Sequence, residues 1–127
     1  MSDSAKKILI IEDEFFIRDL YERYLTKNGY QVITAVDGED GVNKAKSQAV
    51  DLILLDIMMP KKTGLEVLHE LRNSENFAKA TPIYMLTNVG QENIIKDVFK
   101  IGADGYLLKS KMLPKQIVEE IQKILGA

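Results

Sequence analysis

The chain has no cysteine and no tryptophan, three prolines and one histidine in 127 residues. Without cysteine there is no disulfide, no thiolate metal site and no thiol nucleophile. Basic residues number 17 against 19 acidic ones, a formal net charge of −2. With no basic excess, the chain alone is not expected to bind nucleic acid. Long hydrophobic runs are missing too. No segment approaches the roughly 20 apolar residues of a membrane-spanning helix. No apolar stretch of signal-peptide length precedes Ile8. No membrane contact is expected, and the cytoplasm is the expected location. The single histidine, His69, lies beside the apolar face of a predicted helix, far in sequence from the acids discussed below. It reads as a surface or boundary residue rather than a phosphodonor.

What is present is enough for one domain with a real core and too little for two. Hydrophobic content of 46% and charged content of 28% mark a globular chain. Residues 1–6 are expected to form a disordered tail and residues 7–126 the domain.

Short apolar runs alternate with helical periodicity. Lys7 to Ile11, Val32 to Ala35, Leu52 to Leu55, Pro82 to Leu86 and Tyr106 to Leu108 read as strands. Between and after them come five helical patterns. Phe16, Ile17, Leu20, Tyr21, Tyr24 and Leu25 mark the first, stopped at Asn28-Gly29. Asp37 offers a start to the second, with Val42 and Ala45 inward. Thr63 and Glu66 have capping-box form ahead of Leu65, Leu68 and Leu71. Ile94, Ile95, Val98 and Phe99 mark the fourth. Pro114 suits the first turn of the fifth, which carries Ile117, Val118, Ile121, Ile124 and Leu125. Phe15, Phe16 and the methionines are read as core or edge packing, and residues 74–81 as a surface loop. Five β-α units in series predict an α/β domain with a parallel sheet covered on both faces.

Four of the five predicted strands end in a polar group: Glu12 with Asp13, then Asp56, Thr87 and Lys109. A parallel sheet puts these ends on one edge, with neighbouring strands roughly 5 Å apart, and such edges are where α/β sheets bind ligands. Singly, each residue reads as a cap or a solvated side chain. Jointly they describe a site. Clustered carboxylates repel unless a cation neutralises them, and magnesium suits an all-oxygen set. Asp56 would keep a free oxygen able to attack phosphorus, with the Lys109 ammonium and Thr87 hydroxyl stabilising the transferring group.

The runs Ile8 to Glu14, Leu52 to Pro60, Gly64, Leu86-Thr87 and Gly102 to Lys109 resemble the receiver domain of two-component response regulators, the CheY-like family. The resemblance covers practically the whole chain. It implies a doubly wound, flavodoxin-like sheet in the order 2-1-3-4-5, with two helices on one face and three on the other. It implies that Asp56 takes a phosphoryl group from a phosphohistidine on a sensor kinase or phosphotransfer protein. Asp13, Asp56 and the Met58 main-chain carbonyl would hold Mg2+, with Glu12 assisting through water. Thr87 would bond the phosphoryl group, Lys109 would pair with it, and Tyr106 would be the switch aromatic. Helix four, strand five and helix five would form the output surface toward a downstream protein. A monomer is expected, with dimerisation on phosphorylation left open.

Four positions depart from the family pattern or tune it. Ser110 stands where relatives carry proline, usually after a cis bond. A cis bond before serine costs about 3–4 kcal/mol, against under about 1 before proline. So the loop either rearranges or holds strain. Asn88 replaces a small residue. Met58 and Val89 occupy the positions that tune how fast water reaches the acyl phosphate. Both are apolar, which predicts slow self-dephosphorylation.

Other functions fit less well. An aspartate-nucleophile phosphatase of haloacid-dehalogenase type needs a second aspartate two residues on, where this chain has Met58. A flavodoxin-like electron carrier needs a hydroxyl-rich phosphate loop after strand one, where this chain has acids. A phosphorylation-independent interaction module remains the alternative. The chain is therefore not expected to be an enzyme beyond catalysing its own phosphorylation and dephosphorylation.

Overall fold

The computed structural model describes residues 5–77 and 79–126. Of the expected tail, residues 1–4 lie outside the described residues, while the Lys6 carbonyl already accepts Gln31 N–H at 2.9 Å.

Five parallel strands lie in the order β2-β1-β3-β4-β5. They are β1 (Lys7–Ile11), β2 (Gln31–Ala35), β3 (Leu52–Leu55), β4 (Ile83–Thr87) and β5 (Gly105–Leu108). The helices are α1 (Phe15–Lys27), α2 (Gly38–Ser47), α3 (Gly64–Arg72), α4 (Glu92–Ile101) and α5 (Pro114–Leu125). None is long and apolar enough to cross a membrane.

The strands are apolar throughout because both faces of the sheet are covered. Alternation along each strand sorts side chains between two cores. Leu9, Ile11, Ile53, Leu55, Ile83 and Met85 face α2, α3 and α4. Ile8, Ile10, Leu52, Leu54, Leu86 and Leu107 face α1 and α5. This reproduces the expected order and the two-plus-three distribution of helices.

The predicted helix starts are present. Asp37 accepts from Asp40 N–H at 2.8 Å. Thr63 and Glu66 form a reciprocal capping box. Pro114 opens α5.

Several expectations need correction. Phe15 and Phe16 are not core: they are 59% and 79% exposed, stacked edge-on at 5.5 Å between ring centroids. The Arg18 guanidinium lies 5.6 Å from the Phe15 ring, a cation–π contact that holds the ring at the surface. In α1 only Tyr21 and Leu25 are fully buried, and in α4 only Val98. Met58 is exposed, while Met59 and Met85 are core. In the 74–81 loop, Phe77 turns inward and joins the core under α2 and α3.

Sequence gave no warning of one anchor at the opposite edge of the sheet. Arg72 donates to the carbonyls of Gly102 (2.8 Å), Lys79 (3.2 Å) and Thr81 (3.1 Å) and to Asp104 (2.6 Å). Asp104 also accepts Ile83 N–H at 2.9 Å, so one ion pair fixes the starts of β4 and β5.

Candidate functional site

The carboxyl ends of β1, β3, β4 and β5 deliver Glu12, Asp13, Asp56, Thr87 and Lys109 to one cleft, completed by Glu14, Ile17, Met58, Asn88 and Val89. Register explains the meeting. Ile11, Leu55, Met85 and Tyr106 lie in one row, so Glu12 and Asp56 come one residue after it, Thr87 two and Lys109 three, all past the same edge of the row.

Asp56 is 8% exposed at the floor of the cleft. Its Oδ1 accepts Ile57 N–H at 2.8 Å, and its Oδ2 lies 3.5 Å from Lys109 Nζ. Lys109 donates more closely to Glu12 Oε1, at 2.7 Å. Glu12 Oε2 accepts Glu14 N–H at 3.0 Å. Burial drives the Glu12 carboxyl above its ordinary pKa and the Asp56 charge adds to it, against the lowering pull of the Lys109 and Glu14 hydrogen bonds. Beneath it, burial and the Glu12 charge push the Tyr21 hydroxyl up to about 12.

Asp13 is exposed at the mouth. Glu12, Asp13 and Asp56 each offer an oxygen within 4.8 Å of the others. Three carboxylates against one ammonium leave two formal negative charges, which a divalent cation would neutralise. An all-oxygen donor set of this kind suits a hard cation.

Thr87 is 1% exposed, and its Oγ1 accepts Val89 N–H at 3.3 Å. The Tyr106 hydroxyl donates to the carbonyl of the same Val89. One residue's main chain therefore joins the two. Asn88 is exposed and Val89 half-buried on the cleft wall. His69 is exposed on α3, and it lines no part of the cleft.

After Lys109 the chain enters a 3-10 turn, Lys109–Lys111, and among the described residues every peptide bond is trans. Ser110 sits in the middle of that turn. Lys109 still reaches the cleft.

Two contributors escaped the sequence reading. Arg18 donates to the main-chain carbonyls of Glu12 (2.9 Å) and Asp13 (3.2 Å), tying α1 to the acidic loop. Its position one turn into α1 was the only available signal. Gly64 was noted as a motif residue without its reason. A Cβ there would stand 2.1 Å from the Asp56 carbonyl oxygen, so only glycine lets α3 begin against the Asp56 backbone.

The family description "Response regulator receiver domain" matches residues 8–122. The chain is 39% identical over 120 residues to the alkaline phosphatase synthesis transcriptional regulatory protein PhoP of Bacillus subtilis, a match covering 94% of this chain and 48% of that protein. It thus spans about half the length of this and other curated regulators it matches. Among solved structures, chemotaxis protein CheY4 of Vibrio cholerae superposes with a TM-score of 0.88 at 32% identity, covering 96% of this chain and all (100%) of that one. The receiver domain of a sensor histidine kinase from Pseudomonas aeruginosa, with a magnesium ion coordinated in its active-site cleft, gives 0.86 at 27% identity, covering 98% and 100%. With strand order, acidic cleft and family match in agreement, this chain belongs to the response regulator receiver domain family.

Proposed function

We propose that the chain, as one receiver unit over residues 7–126, is the phospho-accepting switch of a two-component relay. A carboxylate oxygen of Asp56 attacks the phosphorus of a phosphohistidine on a sensor kinase or phosphotransfer protein. The P–N bond breaks, its electron pair returns to the imidazole, and an aspartyl phosphate forms. The observation that carries this reading is Asp56 itself: a buried carboxylate at a strand end, beside an ammonium and two further acids.

Asp13, Asp56 and the Met58 main-chain carbonyl would hold Mg2+, and Glu12 would act through water. The ion would neutralise charge on the transferring group. Lys109 would leave Glu12 for the phosphoryl oxygens. Thr87 would turn its hydroxyl to the same oxygens and give up Val89 N–H. Because Val89 also holds the Tyr106 hydroxyl, this exchange would loosen Tyr106 and let its ring move inward. The charge gained at Asp56 would thereby bias the α4-β5-α5 face toward a downstream partner.

Met58 stands exposed in the cleft lining, and Phe15 and Phe16 stand exposed in the sequence between its lining residues Glu14 and Ile17, a surface that a donor could meet. A cytoplasmic location and a monomeric resting state belong to the same proposal. So does a protein target rather than nucleic acid for this chain by itself.

The test is intact mass after incubation with acetyl phosphate, with and without Mg2+, beside Asp56→Asn. One magnesium-dependent phosphoryl addition, absent from the variant, is expected. No addition to the unaltered chain, where a known receiver reacts, would favour an interaction module that works without phosphorylation.

A further inference from the structure

The loop from β3 to α3 carries Met58 and is held in an unfavourable shape. Lys61 is the one non-glycine residue with positive φ among the described residues, at +67°. Across it, Lys62 N–H donates to the Pro60 carbonyl at 2.7 Å. That bond, closed over a positive φ, makes the rare and strained form of γ-turn. Such a conformation persists only where its surroundings hold it.

The hold comes from the first turn of α2. Asp37 is 9% exposed and uses its two oxygens separately. Oδ1 caps α2 by accepting Asp40 N–H at 2.8 Å. Oδ2 lies 3.4 Å from Lys61 Nζ. The next residue, Gly38, packs so closely that a Cβ would come 2.3 Å from the Lys62 carbonyl oxygen. At the far end, Gly64 N–H donates to the Ile57 carbonyl at 2.8 Å. The loop is therefore clamped on both sides of Met58 to Lys62. A helix cap needs one oxygen of Asp37. The second oxygen, the γ-turn and the Gly38 contact are left over from that role.

We propose that Asp37 and Lys61 are positioning residues: they brace the β3-α3 loop so that the Met58 main-chain carbonyl is available to the cation. This rests on the magnesium site proposed above. Neither residue touches the reacting groups.

The test is an amide chemical-shift titration with Mg2+ on the wild-type chain, Asp37→Asn, Lys61→Met and the double variant, with a melting temperature for each. Asparagine caps a helix about as well as aspartate, so Asp37→Asn should melt close to wild type. A brace predicts that both single variants bind Mg2+ more weakly, by about two- to fivefold, the range of a partly exposed ion pair. The double variant should bind no more weakly than the weaker single. A plain charge effect predicts the opposite for one of them. Removing the Lys61 cation would then tighten Mg2+ binding while removing the Asp37 anion loosens it, and that result overturns the brace. So do unchanged affinities in variants of a wild type that binds. A wild-type chain that binds no Mg2+ overturns the site reading and the brace together. Lys61 is largely exposed, so Lys61→Met keeps the test decisive if Asp37→Asn folds poorly.

Discussion

Lys109 donates to Glu12 at 2.7 Å and reaches Asp56 only at 3.5 Å, with all three side chains at most 10% exposed. The closer partner of the ammonium is thus Glu12 rather than Asp56. The protein carries its own cation at carboxylates that a metal ion would contest. Lys109→Met removes that cation and leaves Glu12 buried without its partner. Breaking a buried pair in this way costs about 3–5 kcal/mol. The variant is expected to melt lower, to bind Mg2+ more tightly than wild type, and to accept phosphoryl more slowly by about two orders of magnitude. Paired Mg2+ titration and acetyl phosphate kinetics check this. Weaker Mg2+ binding in the variant would contradict it.

Glu12 sets a pH dependence. Its folded pKa lies above the ordinary 4.5, chiefly through burial. The folded state therefore binds this proton more tightly than the unfolded state. Glu12 accordingly makes its largest stabilising contribution at and below the ordinary value. That contribution is lost as pH rises through the folded pKa. A bound cation favours the ionised form and reverses the loss. The rise in melting temperature on adding Mg2+ to EDTA-treated protein should be larger at pH 7 than at pH 5. An equal or smaller rise at pH 7 would count against the carboxylate site.

Gly64→Ala places a methyl against main chain that cannot swing aside: 2.1 Å from the Asp56 carbonyl oxygen and 2.7 Å from Ile57 Cα. The expected loss is about 1–3 kcal/mol, the usual size for overpacking. Phosphoryl uptake should fall with it, because the displaced backbone is that of Asp56, the acceptor proposed above. A variant with unchanged denaturant midpoint and uptake would show that α3 shifts freely.

Met58 and Val89 both line the cleft with apolar side chains, and neither can orient a water molecule. Met58→Asn with Val89→Glu should shorten the lifetime of the aspartyl phosphate. Decay of the phosphorylated mass after removal of acetyl phosphate measures it. An equal or longer half-life in the double variant would sink the idea.

The fold was legible because burial leaves a simple mark. Lys7 to Ile11 and Leu52 to Leu55 are apolar at nearly every position, as strands covered on both faces must be, and each stops at acids. That boundary exposed the site as well. What stayed hidden depends on partners distant in sequence. Periodicity in α1 could not say that Phe16, Leu20 and Tyr24 face outward, since an aromatic stripe looks alike on either side of a helix. Phe77 sits among polar loop residues and is buried only because α2 and α3 leave room for it. The preference of Lys109 for Glu12 spans 97 residues. The Lys61 pairing with Asp37 required the turn geometry itself. The 3-10 turn around Ser110 could be seen only in the structure.

The most direct test of the central claim locates the phosphoryl group. The chain is treated with acetyl phosphate and Mg2+, reduced with borohydride, and digested for peptide mass mapping. Borohydride converts an aspartyl phosphate to homoserine. Homoserine at position 56 alone, dependent on Mg2+, is the predicted result. Homoserine at position 13 or another acid, or none at all while phosphoryl is retained on the protein, would contradict Asp56 as the acceptor.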